Sequence, residues 1–113
     1  TFVADSMAQI LRDYYPHYAR QMDKIGKERG WRGQYTEHQF AAGTGSEGAL
    51  FMGEPEEVAE KIIRLIEMLN LSRFIAHIDC GGPSHSQLMK TIELLGLKVF
   101  PTVRRHFESR LSP

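Results

Sequence analysis

The chain has 113 residues, of which 42% are hydrophobic and 25% are charged, a size and composition that suit one globular domain. Fourteen Lys and Arg residues balance fourteen Asp and Glu residues, so the positive field that nucleic-acid binding requires is absent. Charged residues interrupt every apolar stretch, which excludes a membrane-spanning segment of about 20 apolar residues. The single cysteine cannot form an internal disulfide, and we expect a cytoplasmic protein.

Residues 1–31 are predicted to be mainly helical. Apolar residues recur at spacings close to one helical face, namely Met7, Ile10, Leu11, Tyr14, Tyr15, Tyr18, Met22 and Ile25. Ser6 or Asp5 can cap the start, and Pro16 should kink or split the helix near Tyr15. Because the chain opens with TFVADSM and has neither an initiator Met nor a signal peptide, we expect it to belong to a longer protein.

Residues 32–53 are predicted to form a loop-rich connection, because they show no sustained hydrophobic period and are rich in Gly, Thr, Gln and Ser. The sequence GTGSEG, residues 43–48, matches the dinucleotide-binding pattern GxGxxG. That pattern has mechanical meaning only between a strand and a helix, whereas here QFAA precedes it and ALFM follows. We therefore predict a flexible loop, with residues 49–52 as a weak strand.

Residues 54–113 are predicted to form a helix, a strand and a second helix. Pro55 suits the first helical position, an apolar stripe follows, and Asn70 suits a left-handed cap. The stripe consists of Val58, Ile62, Leu65, Ile66 and Leu69. Residues 74–78 are mostly apolar and predict a strand buried on both faces, as in a parallel sheet. Ser84 or Ser86 can cap the second helix, which Gly96 interrupts. This order indicates an α/β fold.

The sequence HIDCGGPSH, residues 77–85, follows the predicted strand and contains several reactive side chains. A metal site is disfavoured, because strand alternation turns His77 and Asp79 to one face and Cys80 to the other. No second Cys/His pair has the spacing typical of zinc ligands. Cys80 as a nucleophile, with His85 as its base, is a minor alternative because no third orienting group is apparent.

The position of this loop also suits a ligand-binding rim. In parallel α/β folds, ligands bind outside the carboxyl ends of the strands. Gly81 and Gly82 would let the backbone approach a ligand closely, and the next helix offers free N–H groups at its start. A tight turn with a serine cap explains the same residues equally well, so both interpretations stay open.

From Gly48 onward, the sequence GALFMGEPEEVAEKIIRLIEMLNLSRFIAHIDCGGPSHSQLMKTIELLGLKVFPTVR resembles the C-terminal part of the bacterial luciferase-like flavin monooxygenases. The similarity lies in a GxPEEVAEKI helix start, an LxRF turn before the last barrel strand, a Gly-Gly-x-Pro-His loop, and a last helix with IELLG and PxVR. YYPHYARQMDKIGKERGW, residues 14–31, resembles the preceding helix. The chain departs from the pattern where Ser84 separates Pro83 from His85.

This resemblance implies a fold and a chemistry. The chain would be a single partial domain, roughly the last two βα units of a (β/α)8 barrel, mostly helical with one or two short parallel strands. The full protein would use reduced flavin mononucleotide (FMN) and dioxygen to oxidise a small organic substrate. Asp79, Gly81, Gly82 and His85 would contact flavin or substrate at the barrel rim, and His77 would line the pocket floor.

The resemblance also implies what the isolated chain should do. Most flavin contacts and the catalytic residues would lie upstream, so the 113 residues should bind flavin weakly or not at all. The inward faces of the outer helices would be the Val58–Leu69 stripe together with Leu88, Met89, Ile92 and Leu95. A barrel fragment exposes sheet edges and apolar faces, so we expect self-association. A non-enzymatic α/β interaction or oligomerisation module is the alternative function.

Overall fold

The computed structural model describes the backbone of residues 1–111 and the side chains of residues 1–108. In chain order, the elements are β1 (Phe2–Val3), α1 (Met7–Asp13), α2 (Tyr15–Arg29), α3 (Glu37–Thr44), β2 (Met52–Gly53), α4 (Pro55–Leu69), α5 (His85–Leu94), a π-helical turn (Leu95–Val99) and α6 (Phe100–Leu111). The mostly helical α/β character with a short parallel sheet is therefore confirmed. In the described part of the chain, no helix is long and apolar enough to cross a membrane.

The first 31 residues form a strand and two helices rather than one helix. Ser6 caps α1, since its Oγ accepts a hydrogen bond from the backbone N–H of Gln9 at 3.2 Å. The expected break lies at Tyr14, between α1 and α2, because Pro16 is tolerated only in the first turn of α2. Gly30 ends α2 in the left-handed conformation, which glycine adopts without steric cost.

The connection at residues 32–53 contains a helix that the sequence pattern did not predict. Thr36 caps α3 by accepting from the N–H of Gln39, and the Gln39 side chain accepts from the N–H of Thr36. Phe40 is the residue of α3 that becomes buried, so the apolar period is too weak to see. The first two residues of the GTGSEG segment end α3 and the other four form a loop, which Lys61 anchors. The Lys61 ammonium donates to the carbonyls of Gly45 at 2.8 Å and Leu50 at 2.6 Å.

The two strands pair in parallel, with Phe2 opposite Met52 and Val3 opposite Gly53. Consecutive side chains of a strand point to opposite faces. Val3 accordingly packs against α4, α5 and the π-helical turn, whereas Phe2 and Met52 pack against α1 and α3. Helices α1 to α3 form the crossover between the strands, and the sheet lies between two helical layers.

Each face of the sheet has its own core cluster. The aliphatic cluster consists of Val3, Val58, Ala59, Ile62, Leu94, Leu95 and Val99. The aromatic cluster consists of Phe2, Ala4, Ile10, Tyr14, Phe40 and Met52. In a (β/α)8 barrel, helices cover one face of the strands and side chains of the strands themselves fill the other. In this structure, helices pack on both faces of the sheet, which is a layered arrangement. The (β/α)8 barrel therefore stays a prediction.

Helix α4 begins and ends where the sequence predicts. Pro55 occupies the first turn, and Asn70 adopts φ 53° and ψ 50° at the C-terminal end. The predicted inward faces are wrong for Leu69 of α4, which is 58% exposed, and for Met89 and Ile92 of α5, which are about half exposed. Thr91 faces inward instead, and its hydroxyl donates to the carbonyl of Val3 at 3.0 Å. The π-helical turn begins at Leu95, beside Gly96, where an interruption is predicted.

Residues 74–78 do not form the predicted strand, and they are not buried on both faces. Exposure alternates instead: Phe74, Ala76 and Ile78 pack against the aliphatic cluster, whereas Ile75 is 80% exposed. The backbone of this segment makes one hydrogen bond to the rest of the described residues. In it, the carbonyl of His77 accepts from the amino group of Thr1 at 2.8 Å. The apolar residues at positions 74–78 predicted that both faces of this segment are buried, but in the structure a helical layer covers only one of its faces.

Candidate functional site

The loop of residues 77–85 lies beside the junction of α1 and α2, and the carbonyl of His77 also accepts a hydrogen bond from the amino group of Thr1. The Tyr14 hydroxyl donates to the carbonyl of Cys80 at 2.7 Å, and the Gln87 amide donates to the carbonyl of Asp13 at 3.3 Å. These bonds tie the loop and the start of α5 to the junction of α1 and α2. The carbonyl of Val3, which ends β1, is bonded to α5. The predicted ligand-binding loop is therefore held against the α1–α2 junction, and the helix that follows it reaches the end of β1.

His77 and Asp79 lie together on the outer face of this segment, as strand alternation predicts. The Nε2 atom of His77 lies 2.5 Å from Oδ1 of Asp79, and their side chains are 78% and 69% exposed. Water screens such an exposed pair, so its contribution to the free energy of folding is small. The position of His77 at a pocket floor of the longer protein stays a prediction. Cys80 alternates to the opposite side and is half-buried.

Gly81 and Gly82 both have left-handed backbone conformations, with φ 85° and 67°, but their surroundings differ. A Cβ atom on Gly81 would lie 2.6 Å from the carbonyl oxygen of His17, so this glycine lets the loop pack against the backbone of α2. A Cβ atom on Gly82 would meet no atom within 4 Å. Of the two, only Gly82 leaves space in which a ligand could approach.

The start of α5 has a complete cap. The Oγ of Ser84 accepts from the N–H of Gln87 at 3.2 Å, and the Gln87 side chain accepts from the N–H of Ser84 at 2.8 Å. Of the two caps that the sequence predicted, Ser84 and Ser86, the structure has Ser84. His85, the first residue of α5, is exposed beside the Gly82 turn. The serine that departs from the family pattern thus has a structural role.

Cys80 lacks the electrostatic setting of a reactive thiol. Burial raises the pKa of the Cys80 thiol, and the negative charge of Asp79 adds to this, although the nearby amino terminus acts in the opposite direction. A raised pKa lowers the fraction of thiolate, which is the nucleophilic form. Thiol chemistry at this position is therefore disfavoured.

Tyr14 reaches this loop although no direct signal in the sequence indicates the contact. Tyr14 is fully buried, stacks on Phe2 with ring centroids 4.1 Å apart, and directs its hydroxyl to Cys80. Burial is the main cause that raises the pKa of Tyr14, as it is for the neighbouring Tyr18. The only available signal was the helical spacing of tyrosines at positions 14, 15 and 18, which indicates a shared face but not its contacts.

A separate groove of about 960 Å³ lies beyond the amino end of the 74–78 segment. It is formed by the end of α4, residues 70–74 and α6, and Ile66, Phe74 and Phe107 give it an apolar lining. None of the five predicted site residues lines it. In an α/β fold the carboxyl ends of the strands carry the ligand site, so this groove lies at the opposite end.

Among the side chains that the structure describes, no three or more His, Cys, Asp or Glu residues gather in a group that could hold a metal ion. No protein-family model matches the chain, and no curated protein matches it significantly.

Proposed function

We propose that the chain is the C-terminal part of a flavin-dependent monooxygenase, with the loop of residues 77–85 at the rim of the flavin or substrate site. The observation that carries this proposal is the position of the loop directly after the extended segment 74–78, held there by the bond between Tyr14 and Cys80. Loops at the carboxyl ends of parallel strands are the usual ligand sites of α/β folds. The order of strand and helix along the chain supports it further.

The residues of the loop fit such a ligand in part. Gly82 has open space around it, and His85 and Asp79 are exposed on the same loop. Gly81 fits less well, because the backbone of His17 fills the side on which a ligand would approach. We therefore assign the rim to Gly82, His85 and Asp79, and we assign Gly81 to packing of the loop.

This assignment indicates which steps depend on the flavin and which contacts the protein supplies. Reduced flavin, when bound, supplies the reaction with dioxygen that oxidises a small organic substrate. His85 would donate a hydrogen bond to a polar group of flavin or substrate, and Gly82 would let the ligand approach the backbone. The remaining flavin contacts and the catalytic residues would come from a part of the protein upstream of these 113 residues.

Flavin binding to the longer protein tests this proposal. We expect that protein to quench FMN fluorescence, to consume dioxygen when the flavin is reduced, and to form an oxidised product. Replacing the exposed His85 with Ala should weaken FMN or substrate binding about tenfold, the loss expected for one hydrogen bond to a polar ligand. The matched control is His38→Ala, since His38 is also an exposed helical histidine but lies on α3.

Two results would contradict the proposal. One is a longer protein that neither binds flavin nor consumes dioxygen with it. The other is tight stoichiometric binding of FMN by the isolated 113 residues, because it would mean that no upstream contacts are needed.

A second candidate function is a non-enzymatic α/β interaction module, and the two helical layers favour it. Val3 faces one helical layer, and Phe2 faces the other, so the sheet needs no barrel partner to cover its faces. Oxygen consumption by the longer protein with reduced flavin separates the two functions. A flavin monooxygenase should consume dioxygen, whereas a non-enzymatic interaction module should not.

A further inference from the structure

Three backbone carbonyls in and after the GTGSEG segment converge on the side chain of Lys61. The ammonium donates to the carbonyl of Gly45 at 2.8 Å and to the carbonyl of Leu50 at 2.6 Å. The carbonyl of Gly43 lies 3.4 Å from the same nitrogen, and the centroid of the Phe51 ring lies 4.9 Å from it. Carbonyl oxygens and the face of an aromatic ring both present negative potential, so together these groups form a site for a cation.

The loop itself holds these carbonyls in place. The N–H of Leu50 donates to the carbonyl of Gly43 at 2.9 Å. The N–H of Gly48 donates to the carbonyl of Gly45 at 3.0 Å. A carbonyl oxygen has two lone pairs, so each of these two carbonyls can accept from a loop amide and from Lys61 together. Gly48 permits the close approach, because a Cβ atom on it would overlap the carbonyl of Gly43.

This arrangement has the opposite polarity to a phosphate-binding loop. A phosphate-binding loop directs its N–H groups at the ligand, whereas this glycine-rich segment directs carbonyl oxygens at Lys61. Among the described side chains, no carboxylate forms an ion pair with Lys61. Burial lowers the pKa of Lys61, because the ammonium has lost part of its water. The ammonium has three N–H donors and meets three carbonyls, so donors and acceptors match in number.

We propose that residues 43–51 form a binding site for a primary alkylammonium group and that the side chain of Lys61 is its built-in occupant. The occupant joins α4 to the segment that leads from α3 into β2, so closure of this segment depends on the charge of one side chain. A site emptied by truncation of Lys61 should take up a free alkylammonium ion. The inference does not depend on the proposed flavin function, because none of the proposed rim residues takes part in it.

Amide hydrogen exchange of residues 43–51 tests the site in the protein that contains this chain. In Lys61→Ala, the amides of Gly48 and Leu50 should exchange at least about tenfold faster, because loss of a charged hydrogen bond favours local opening by that factor. n-Propylammonium has the three carbon atoms and the nitrogen that this substitution removes. It should restore the exchange protection, with half of the effect at about 10 mM, since so small a ligand binds weakly.

Matched probes and variants define what the site recognises. 1-Propanol has the same carbon chain without the charge, and propyltrimethylammonium has the charge without N–H groups, so neither should restore protection in Lys61→Ala. Lys61→Met keeps an apolar stem without the charge, so it should open the segment, and propylammonium should not close it because the stem fills the space. Lys98→Ala removes an exposed lysine and should leave the exchange of these amides unchanged.

Several results would overturn the proposal. One is that Lys61→Met protects the amides of Gly48 and Leu50 as well as lysine does, because the charge then contributes nothing. Another is that 1-propanol or propyltrimethylammonium restores as much protection to Lys61→Ala as propylammonium, or that Lys98→Ala loses protection equally. If Lys61→Ala also exposes the amides of α1, the probes still decide the question, since only propylammonium should restore them.

Discussion

The two faces of the small sheet are built from different side chains. The aliphatic cluster joins Val3 to α4 and α5 through Val, Ile, Leu and Ala side chains, which carry no polar atoms. The aromatic cluster joins Phe2 to α1 and α3 and includes the buried Tyr14. Tyr15, Tyr18 and Tyr35 lie at the margin of this second cluster.

Both clusters touch the candidate loop, since Ile78 packs against the aliphatic cluster, but the aromatic cluster also holds the loop through a hydrogen bond. A buried tyrosine combines a large apolar ring with a hydroxyl that needs a hydrogen-bond partner. The Tyr14 ring stacks on Phe2, while its hydroxyl holds the Cys80 carbonyl in the loop. The aliphatic cluster stabilises the fold, whereas the aromatic cluster also sets the position of the loop.

Truncation within each cluster should have the largest effect. Phe40→Ala should lower the free energy of unfolding by about 4 kcal/mol and Ile62→Ala by about 3 kcal/mol, since both side chains are fully buried. Because β1 contributes to both clusters, we expect one cooperative transition in each variant. Hydrogen exchange of individual amides checks this. If Phe40→Ala removes the exchange protection of the α2 amides but leaves the α4 amides fully protected, the two helical layers unfold as independent units.

The two glycines of the loop give the next largest effect. Gly81→Ala should lower the free energy of unfolding by about 3 kcal/mol, because strain of a left-handed residue adds to overpacking against His17. Gly82→Ala is the matched control and should cost only about 1 kcal/mol, since it has similar φ but no close neighbour. Denaturant unfolding measures both variants. Equal losses would mean that the contact between the loop and α2 contributes nothing.

Alkaline pH should produce the smallest effect and should act on the aromatic side. Burial, with smaller contributions from Tyr18 and Tyr15, raises the pKa of Tyr35 to about 12, compared with an ordinary value of 10.0 for a tyrosine. Between these values, the unfolded chain has released a proton that the folded chain still holds, so stability should fall as pH rises through this window. Tyr35→Phe should make the fall shallower in denaturant titrations, whereas Ile62→Val should leave its slope unchanged.

Local sequence signals predicted the ends of several helices correctly. Pro55, Asn70 and Ser84 act through their own backbone or the next turn, so their effects need no knowledge of distant residues. The break at Tyr14 likewise follows from Pro16. By contrast, α3 was missed because its stability comes from a capping box and from burial of Phe40, and neither produces a long apolar period.

In the candidate site too, local sequence predicted some features correctly and missed others. Strand alternation correctly predicted that His77 and Asp79 share one face and that Cys80 lies on the other. It did not predict that this face would be exposed, because the apolar residues at positions 74 to 78 suggest burial without saying which layers are present to cover them. The sequence also could not predict that Gly81 has a close neighbour and Gly82 has none, because this depends on the position of α2 relative to the loop.

The sequence alone therefore determined the α/β class, the ends of α4, two candidate caps each for α1 and α5, and the faces on which His77, Asp79 and Cys80 lie. These features depend on backbone geometry within a few residues. Tertiary structure decided that helices cover both faces of the sheet, that Tyr14 holds the loop, and that one backbone edge is left unpaired within the described residues. Such features depend on contacts between residues far apart in the chain, and a local sequence pattern carries no information about which distant segments meet.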